Sequence, residues 1–427
     1  MYYDFVQWLS STPTDLLVVI SLPVLLLDGI RYCFGAVFVF LQDFACGLWE
    51  RVCRIPEPTC YRYRPSVCVV IAGLNEGNTI GHTLRSLWGT YPEMEIIVVD
   101  DGSNDDMSDV VQEFDREYGG VTLFRRPHRG GKSSALNCAL PFIRAEIIVC
   151  VDADSHLAEN AIWEVVQPFA DPQVGAVSAC VLARNPFARL VTWMQAFEYL
   201  QNIFVGRRVS ARLDVLGIIS GAFGAVRRDA IQRLKGWDVG PGEDGDLTIR
   251  LRRSGYRIAF APQARCYTNV PEFWTQLVKQ RRRWQWAVVT FDCRKHVDMG
   301  NPLSPGFRFS NLLVLAEHWL FDIALTYVSF AYLFWVLLHP HSDLWKMYVW
   351  CYILYAIMQL IQAGVFLYYS DNRPRELKIA IVAPLMPLYH ALMRAVTLWA
   401  ITEEFFSRRS ARDNFVPAYV REATWHW

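Results

Sequence analysis

The chain of 427 residues predicts an α/β fold: a doubly wound, mostly parallel sheet flanked by transmembrane and interfacial helices. Three observations carry that expectation. Short β-branched apolar runs alternate with helical segments between residues 66 and 152, as in parallel sheets with crossover helices. Three of these runs end in acids or amides (Asn75/Glu76, Asp100/Asp101 and Asp152/Asp154), at the strand tips where open α/β sheets bind ligands. Apolar stretches long enough to cross a bilayer stand at both ends of the chain.

Composition sets the outer limits. Hydrophobic residues make up 53% and aromatic residues 14% of the chain, with 16 Trp. That is high for a soluble protein, and the excess lies at the ends, whereas 65–270 reads as an ordinary soluble domain. Lys plus Arg (42) and Asp plus Glu (42) cancel, so no nucleic-acid partner is implied. The 11 cysteines form no CxxC pair. Cys46, Cys53 and Cys60 recur every seven residues without a nearby His to complete a zinc site. Reduced, mostly buried thiols fit a central domain facing a reducing compartment.

The elements follow in order. The apolar run at 16–42 reads as one long helix, or as a transmembrane helix plus a shorter interfacial one. Asp28 and Arg31 interrupt it at i,i+3 spacing and could pair. The start is not basic and no cleavage site follows, which argues against a signal peptide. Arg51, Arg54, Arg62 and Arg64 then favour the cytoplasmic side for residues 51 onward. Strands are expected at 66–72, 95–100, 121–124 and 146–151, with helices over 78–89, 105–118 and 133–143 between them. Residues 157–215 read as helix-rich with one strand near Val174. Ser220-Gly221-Ala222-Phe223 is a turn entering a strand, and a helix follows from Asp246, with Gly255 as its C-terminal stop. Residues 273–290 form an amphipathic, cationic and aromatic helix suited to a membrane surface. Apolar runs at 312–338, 347–369 and 379–401 are each long enough to span. The resulting division is an N-terminal membrane segment (1–50), a cytoplasmic domain (51–270), interfacial helices (271–310), transmembrane helices (311–406) and a basic, aromatic tail (407–427). One N-terminal and three C-terminal spans put that tail outside, yet its Arg408, Arg409, Arg412 and Arg421 favour the inside. Either the last apolar run, which contains Arg394, lies along or re-enters the membrane, or the span count is off by one.

The strand-end residues point to chemistry on a charged leaving group. Asp152-Ala153-Asp154 offers hard oxygen ligands for Mg²⁺ or Mn²⁺, although such pairs also occur as solvated loop acids. Asp244, in Gly242-Glu243-Asp244-Gly245-Asp246, is the candidate general base. The like charges of Glu243 and Asp246 are expected to raise its pKa, and Asp246 to cap the helix and leave Asp244 free. An acidic cap alone would look the same. Lys132, in the loop Arg125 to Lys132, could meet phosphate, or belong to a mobile basic surface. In Gln280-Arg281-Arg282-Arg283-Trp284, Arg283 suits a phosphate fork and Trp284 a sugar ring; lipid headgroups would attract the same segment.

Taken together, Asp101 in Val-Asp-Asp-Gly-Ser, Asp152-Ala-Asp154, Gly242-Glu-Asp244 and Gln280-Arg-Arg-Arg-Trp284 resemble the four-part signature of processive, membrane-embedded family 2 glycosyltransferases. The resemblance covers about 65–290 in order and spacing, and the flanking spans match the architecture. Cellulose, hyaluronan, chitin and poly-N-acetylglucosamine synthases belong to that group. It implies a GT-A fold and an inverting transfer from a UDP-sugar to a growing β-linked polysaccharide that is passed across the membrane. It implies Glu76 and Asp101 around the nucleoside and Lys132 near the diphosphate. Asp152 and Asp154 would hold the metal and meet the donor, with Asp244 as base beside Glu243. Gln280, Arg283 and Trp284 would hold diphosphate and acceptor, and Gly221 and Phe223 would belong to the acceptor turn. The implied partners are a UDP-sugar, a polysaccharide and membrane lipids, and the implied location is the plasma (bacterial inner) membrane. Two features depart from the pattern. Ile71-Ala72-Gly73-Leu74 stands where a proline is usual, and the regulatory domain and gating-loop sequence of bacterial cellulose synthase are missing. A transferase that adds a single sugar to a lipid or small acceptor is the alternative.

Overall fold

The computed structural model describes residues 33–53, 61–304, 307–338 and 344–424, besides residues 11 and 13. Its centre is an eight-stranded sheet of β1 (Val67–Gly73), β2 (Glu95–Asp100), β3 (Val121–Arg125), β4 (Ile147–Asp152), β5 (His156–Leu157), β6 (Val174–Ala183), β7 (Phe223–Arg227) and β8 (Arg257–Thr268). The order is β3-β2-β1-β4-β7-β6-β8-β5. The β3-β2-β1-β4 half is parallel throughout, whereas β7 is antiparallel to both β4 and β6. The expected α/β sheet is therefore present, parallel on the side of the strand-end acids and mixed beyond it.

Alternation in β1 explains the two layers. Val67, Val69 and Ile71 pack with Ile80, Leu84, Met107 and Val111 of helices Gly77–Leu87 and Met107–Tyr118. Cys68 and Val70 face the other way, towards Leu136, Ile231, Leu247 and Leu251. A strand apolar at every position can stand only between two such layers, and each fully buried Val, Ile or Leu contributes about 2 kcal/mol. Successive strands depart from β1 in opposite directions, so the crevice opens at the carboxyl ends of β1 and β4.

Two expectations change for reasons local to proline. The helix expected over 133–143 is α-helical only at Lys132–Ala139 and tightens to a 3₁₀ turn at Leu140–Phe142, because Pro141 lacks the N–H to continue it. Strand β8 was not expected at all. Its register with β6 jumps from Ala179↔Ala261 to Cys180↔Arg265, and Pro262 lies in the bulge.

The membrane-facing part matches the expected C-terminal runs. Helices within Phe309–Trp335, Cys351–Tyr369 and Arg373–Ser407 are long and apolar enough to cross a membrane. Most of the 16–42 run, including Asp28 and Arg31, lies outside the described residues. What is described is the helix Gly35–Val52, which exposes Phe38, Leu41, Phe44, Leu48 and Trp49. Helix Met386–Ser407 lies lengthwise beside helix Trp274–Thr290. Tyr389 meets Trp274 at one end, Arg282 sits over Trp399 (3.9 Å) and pairs with Glu403 (2.6 Å), and Glu404 pairs with Arg294 (2.7 Å) at the other. The tail beyond it returns to the sheet domain. Arg129 donates to the Phe415 carbonyl (2.8 Å), and the Tyr419 hydroxyl donates to the Arg129 carbonyl (2.5 Å).

Candidate active site

The crevice is built from strand ends. After β1, Asn75 adopts φ 58, a left-handed conformation that asparagine tolerates. Its N–H donates to Ser103 Oγ and its side-chain carbonyl accepts from Asn104 N, both at 2.9 Å, tying the ends of β1 and β2 together. Glu76 opens the following helix and accepts from the Thr79 hydroxyl (2.7 Å).

At the end of β2, Asp101 organises the basic loop. One oxygen accepts from Arg126 Nη1 (2.6 Å) and Gly130 N (2.9 Å), the other from Gly131 N (2.7 Å). Gly131 has φ +84, which a side chain would strain. Burial raises the Asp101 pKa against the pull of those donors. The loop from Arg125 to Lys132 is therefore pinned through a buried carboxylate, and helix Lys132–Ala139 starts at the crevice.

Lys132 carries the loop into the acid cluster. Its ammonium lies 2.5 Å from Asp152 Oδ1, 3.3 Å from Glu243 Oε1 and 3.0 Å from the Gly221 carbonyl. Burial works against its charge, but Asp152 and Glu243 outweigh burial and raise its pKa. Asp154 has less relief. Burial, then the charges of Asp152 and Glu76, push its pKa up to about 6.

Asp244 lies in the first turn of helix Glu243–Arg253. Its Oδ2 accepts from Gly221 N (3.1 Å) and its Oδ1 from Gly245 N (2.8 Å). A Cβ on Gly221 would stand 3.0 Å from that Oδ2, a crowding that glycine avoids. Burial and then Glu243 push the Asp244 pKa up to about 6, with Lys132, the Gly245 N–H and Arg207 opposing. Asp246 contributes differently from expectation. It caps nothing, since Gly242 is the N-cap and no side chain bonds there. Instead it accepts from His296 Nε2 (2.8 Å) and pairs with Lys295 (2.7 Å). Burial works against its charge, yet His296 and Lys295 hold its pKa below the usual range. Of the two expected like charges, Glu243 is the one that chiefly pushes Asp244 upward.

The crevice thus brings Asp152, Lys132, Glu243, Asp244 and Gly221 into one contact network, with Glu76 and Asp154 coupled to it through charge. Phe223 is fully buried in the core beneath the turn. The helix Trp274–Thr290 forms the neighbouring wall. Trp284 is 39% exposed and has the Arg281 guanidinium over one face at 4.2 Å. Arg281 in turn pairs with Glu198 (2.6 Å). Arg281, Arg207 and Asp154 all lie near enough for their charges to act on buried Tyr199. Gln280 has a buried side-chain oxygen without a partner among the described residues.

Arg283 sits over the Phe415 ring at 3.9 Å. Phe415 and Val416 line a small recess with Gly131, Lys132 and Glu243, which brings Arg283 to the rim of the loop that ends in Lys132. Sequence reasoning missed Phe415, Glu198 and Arg207. The Arg129–Phe415 contact joins residues 286 positions apart, and no periodicity encodes such a pairing.

Comparison with known proteins agrees with this geometry. Residues 65–287 match the model of the family described as "Glycosyltransferase like family 2". The poly-beta-1,6-N-acetyl-D-glucosamine synthase of Staphylococcus epidermidis is 30% identical over 221 residues, 51% of this chain and 53% of that protein. The "Probable glycosyltransferase YdaM" of Bacillus subtilis (strain 168) is 33% identical over 239 residues, 53% of this chain and 57% of that protein. The matches thus span little more than half the length of these relatives. Among solved structures, the mannosyltransferase PcManGT of Pyrobaculum calidifontis, in complex with GDP-Man and Mn²⁺, superposes with a TM-score of 0.57 at 21% identity. That superposition covers 90% of this chain and 99% of that one and shows a shared GT-A-like fold. With half the chain matched by the family model, over the residues that form the crevice, the protein belongs to the glycosyltransferase-like family 2.

Proposed function

We propose that this enzyme transfers sugar with inversion from a UDP-sugar to the hydroxyl end of a growing β-linked polysaccharide. The single observation that carries this reading is Asp244: a buried carboxylate, held by Gly221 N–H, beside the Lys132–Asp152–Glu243 cluster. A base near neutral pKa next to a cationic diphosphate seat is what inverting transfer needs. Asp244 takes the proton of the acceptor hydroxyl. The freed oxygen attacks the anomeric carbon, the bond from that carbon to the diphosphate oxygen breaks, and the electron pair leaves with the diphosphate. Lys132 and Arg283 receive that charge.

Asp152 and Asp154 fit a divalent cation. Burial and then the charge of Asp152 raise the Asp154 pKa, and a divalent cation held by the two carboxylates would relieve both. Bound there, Mg²⁺ or Mn²⁺ would supply Lewis-acid neutralisation of the leaving group. Glu76 and the Asp101-pinned loop flank the nucleoside side of the crevice, and Gln280 and Trp284 flank the acceptor side.

Polymer extension draws support from a cavity of about 140 Å³ bounded by Glu198 and the apolar helices. Gln201, Asn202 and Gln359 line it and carry buried amide oxygens without partners among the described residues. Such acceptors suit hydroxyl-rich chains and are costly beside lipid. The relatives named as poly-N-acetylglucosamine synthases point the same way.

The tail contacts argue for a catalytic domain and a C terminus on the same, cytoplasmic face of the plasma membrane. Helix Met386–Ser407 then lies along the interface instead of crossing it, and its arginine-rich sequel keeps to the positive side. The test is a panel of labelled nucleotide-sugars offered to the purified protein with Mn²⁺ or EDTA, with products sized on a gel. UDP-sugar-dependent polymer that disappears with EDTA and in Asp244→Asn is expected. A product one sugar longer than its acceptor would replace the polymerase reading with single transfer.

A further inference from the structure

Arg207 stands beside the base and takes no part in the steps above. It follows the π-helical segment Leu200–Gly206, a widened turn of a kind common at functional sites. Its Nη1 donates to Ser178 Oγ (2.6 Å) and to Ser220 Oγ (2.5 Å), and Ser220 N donates to the same Ser178 hydroxyl (3.2 Å). The residues on either side of Ser220 are held by the helix of the base. Gly221 N donates to Asp244 Oδ2, and Ile219 N donates to Thr248 Oγ1 (2.9 Å), which itself donates to the Asp244 carbonyl (2.6 Å). Arg207 therefore holds Ser220 from outside helix Glu243–Arg253, as Lys132 holds the Gly221 carbonyl from another side (3.0 Å).

The chemistry of the anchor matters. A guanidinium reaches two hydroxyls in a fixed plane, which an ammonium cannot do with the same geometry. Its hydrogen-bond partners here are neutral, and no carboxylate lies at ion-pair distance from it among the described residues. The carboxylate whose charge acts most strongly on it is Asp244. Lys132 is already shared between Asp152 and Glu243. Arg207 thus faces the base electrostatically and grips the turn that touches the base.

We propose that Arg207 is an acceptor-positioning residue: through Ser220 it locks the Ser220–Gly221 turn under Asp244 and so fixes where the acceptor hydroxyl meets the base. The proposal rests on the reading of Asp244 as base. Water, a small nucleophile, needs no such turn to reach the anomeric carbon, whereas a sugar hydroxyl does.

The experiment measures two reactions of the full-length protein in detergent. One is sugar transferred from the donor found in the panel to an oligosaccharide acceptor, and the other is sugar released from the same donor to water. Misplacement of the acceptor by Arg207→Gln should cut transfer about 30-fold while hydrolysis and donor KM stay within about twofold. Arg207→Lys should recover part of the ratio, Ser220→Ala should lower it about fivefold, and Asp244→Asn should lose both reactions. Should Arg207→Gln fail to fold, judged by its melting, Ser220→Ala decides. A transfer-to-hydrolysis ratio unchanged in the folded variants overturns the positioning role alone. Wild-type protein with neither reaction on any nucleotide-sugar overturns the assigned activity and this role with it.

Discussion

Asp244 and Asp246 stand two residues apart on one helical turn and face two different regions of the molecule. Asp244 faces the crevice, where burial and Glu243 push its pKa up to about 6. Asp246 faces the seam with the segment that follows helix Trp274–Thr290, where His296 and Lys295 hold its pKa down. The first region keeps a carboxylate poised to exchange a proton. The second uses a carboxylate as a permanent charge that ties the base helix to the membrane-flanking wall. Neighbours, more than residue type, separate a base from a strut.

Four experiments would break or sharpen that contrast. The largest effect is expected from Asp244→Asn, which should lower kcat by about 10²–10⁴-fold with the melting temperature little changed. Asp246→Asn should do the reverse. It leaves buried His296 without its carboxylate, while Lys295 keeps Asp238 (2.8 Å), and should cost about 2 kcal/mol of stability, read as a lower Tm at neutral pH. The sign follows from linkage. A depressed carboxylate stabilises the fold above its unfolded pKa, near 4, and loses that contribution as pH falls through its folded value. The Tm gap between wild type and Asp246→Asn should therefore close on acidification below about pH 4.

The third is a pH profile. Asp244 must be ionised to accept a proton, so kcat should fall as pH drops through about 6. Glu243→Gln removes the charge that raises Asp244, and the acid limb should move to lower pH. An unmoved limb would mean that another group limits the rate. The smallest effect is expected from Phe415→Ala. Loss of its contact with Arg283, worth about 1 kcal/mol, should speed hydrogen exchange in residues 413–424 and change donor KM by no more than about fivefold.

How far the site could be read in advance depended on the range of the interactions involved. The acids at the ends of β1, β2 and β4 were legible because strand period, crossover length and turn residues are local and repeat. The basic loop and the Gln280–Trp284 segment stood out by composition. The sequence offered Asp246 as a helix cap that leaves Asp244 free, but its pairing was not legible, because His296 and Lys295 come from a later segment that folds back. Nor was the pinning of Lys132 between Asp152 and Glu243, which needs three separate elements to converge. The topology question was posed by the arginines of the tail. The proposed topology draws on pairs such as Arg282–Glu403 and Arg129–Phe415, which no hydropathy profile contains.

By itself the sequence determined the family, the layered α/β sheet and the ring of acids at its strand tips, because alternation, length and motif order are written along the chain. Only the tertiary structure decided that Asp244 is pushed towards a higher pKa while Asp246 is held low, that Phe223 is core, and that the last apolar helix runs beside Trp274–Thr290. The physical reason is that proton affinity and packing are set by whatever surrounds a side chain in space. Those surroundings are assembled from residues far apart in sequence.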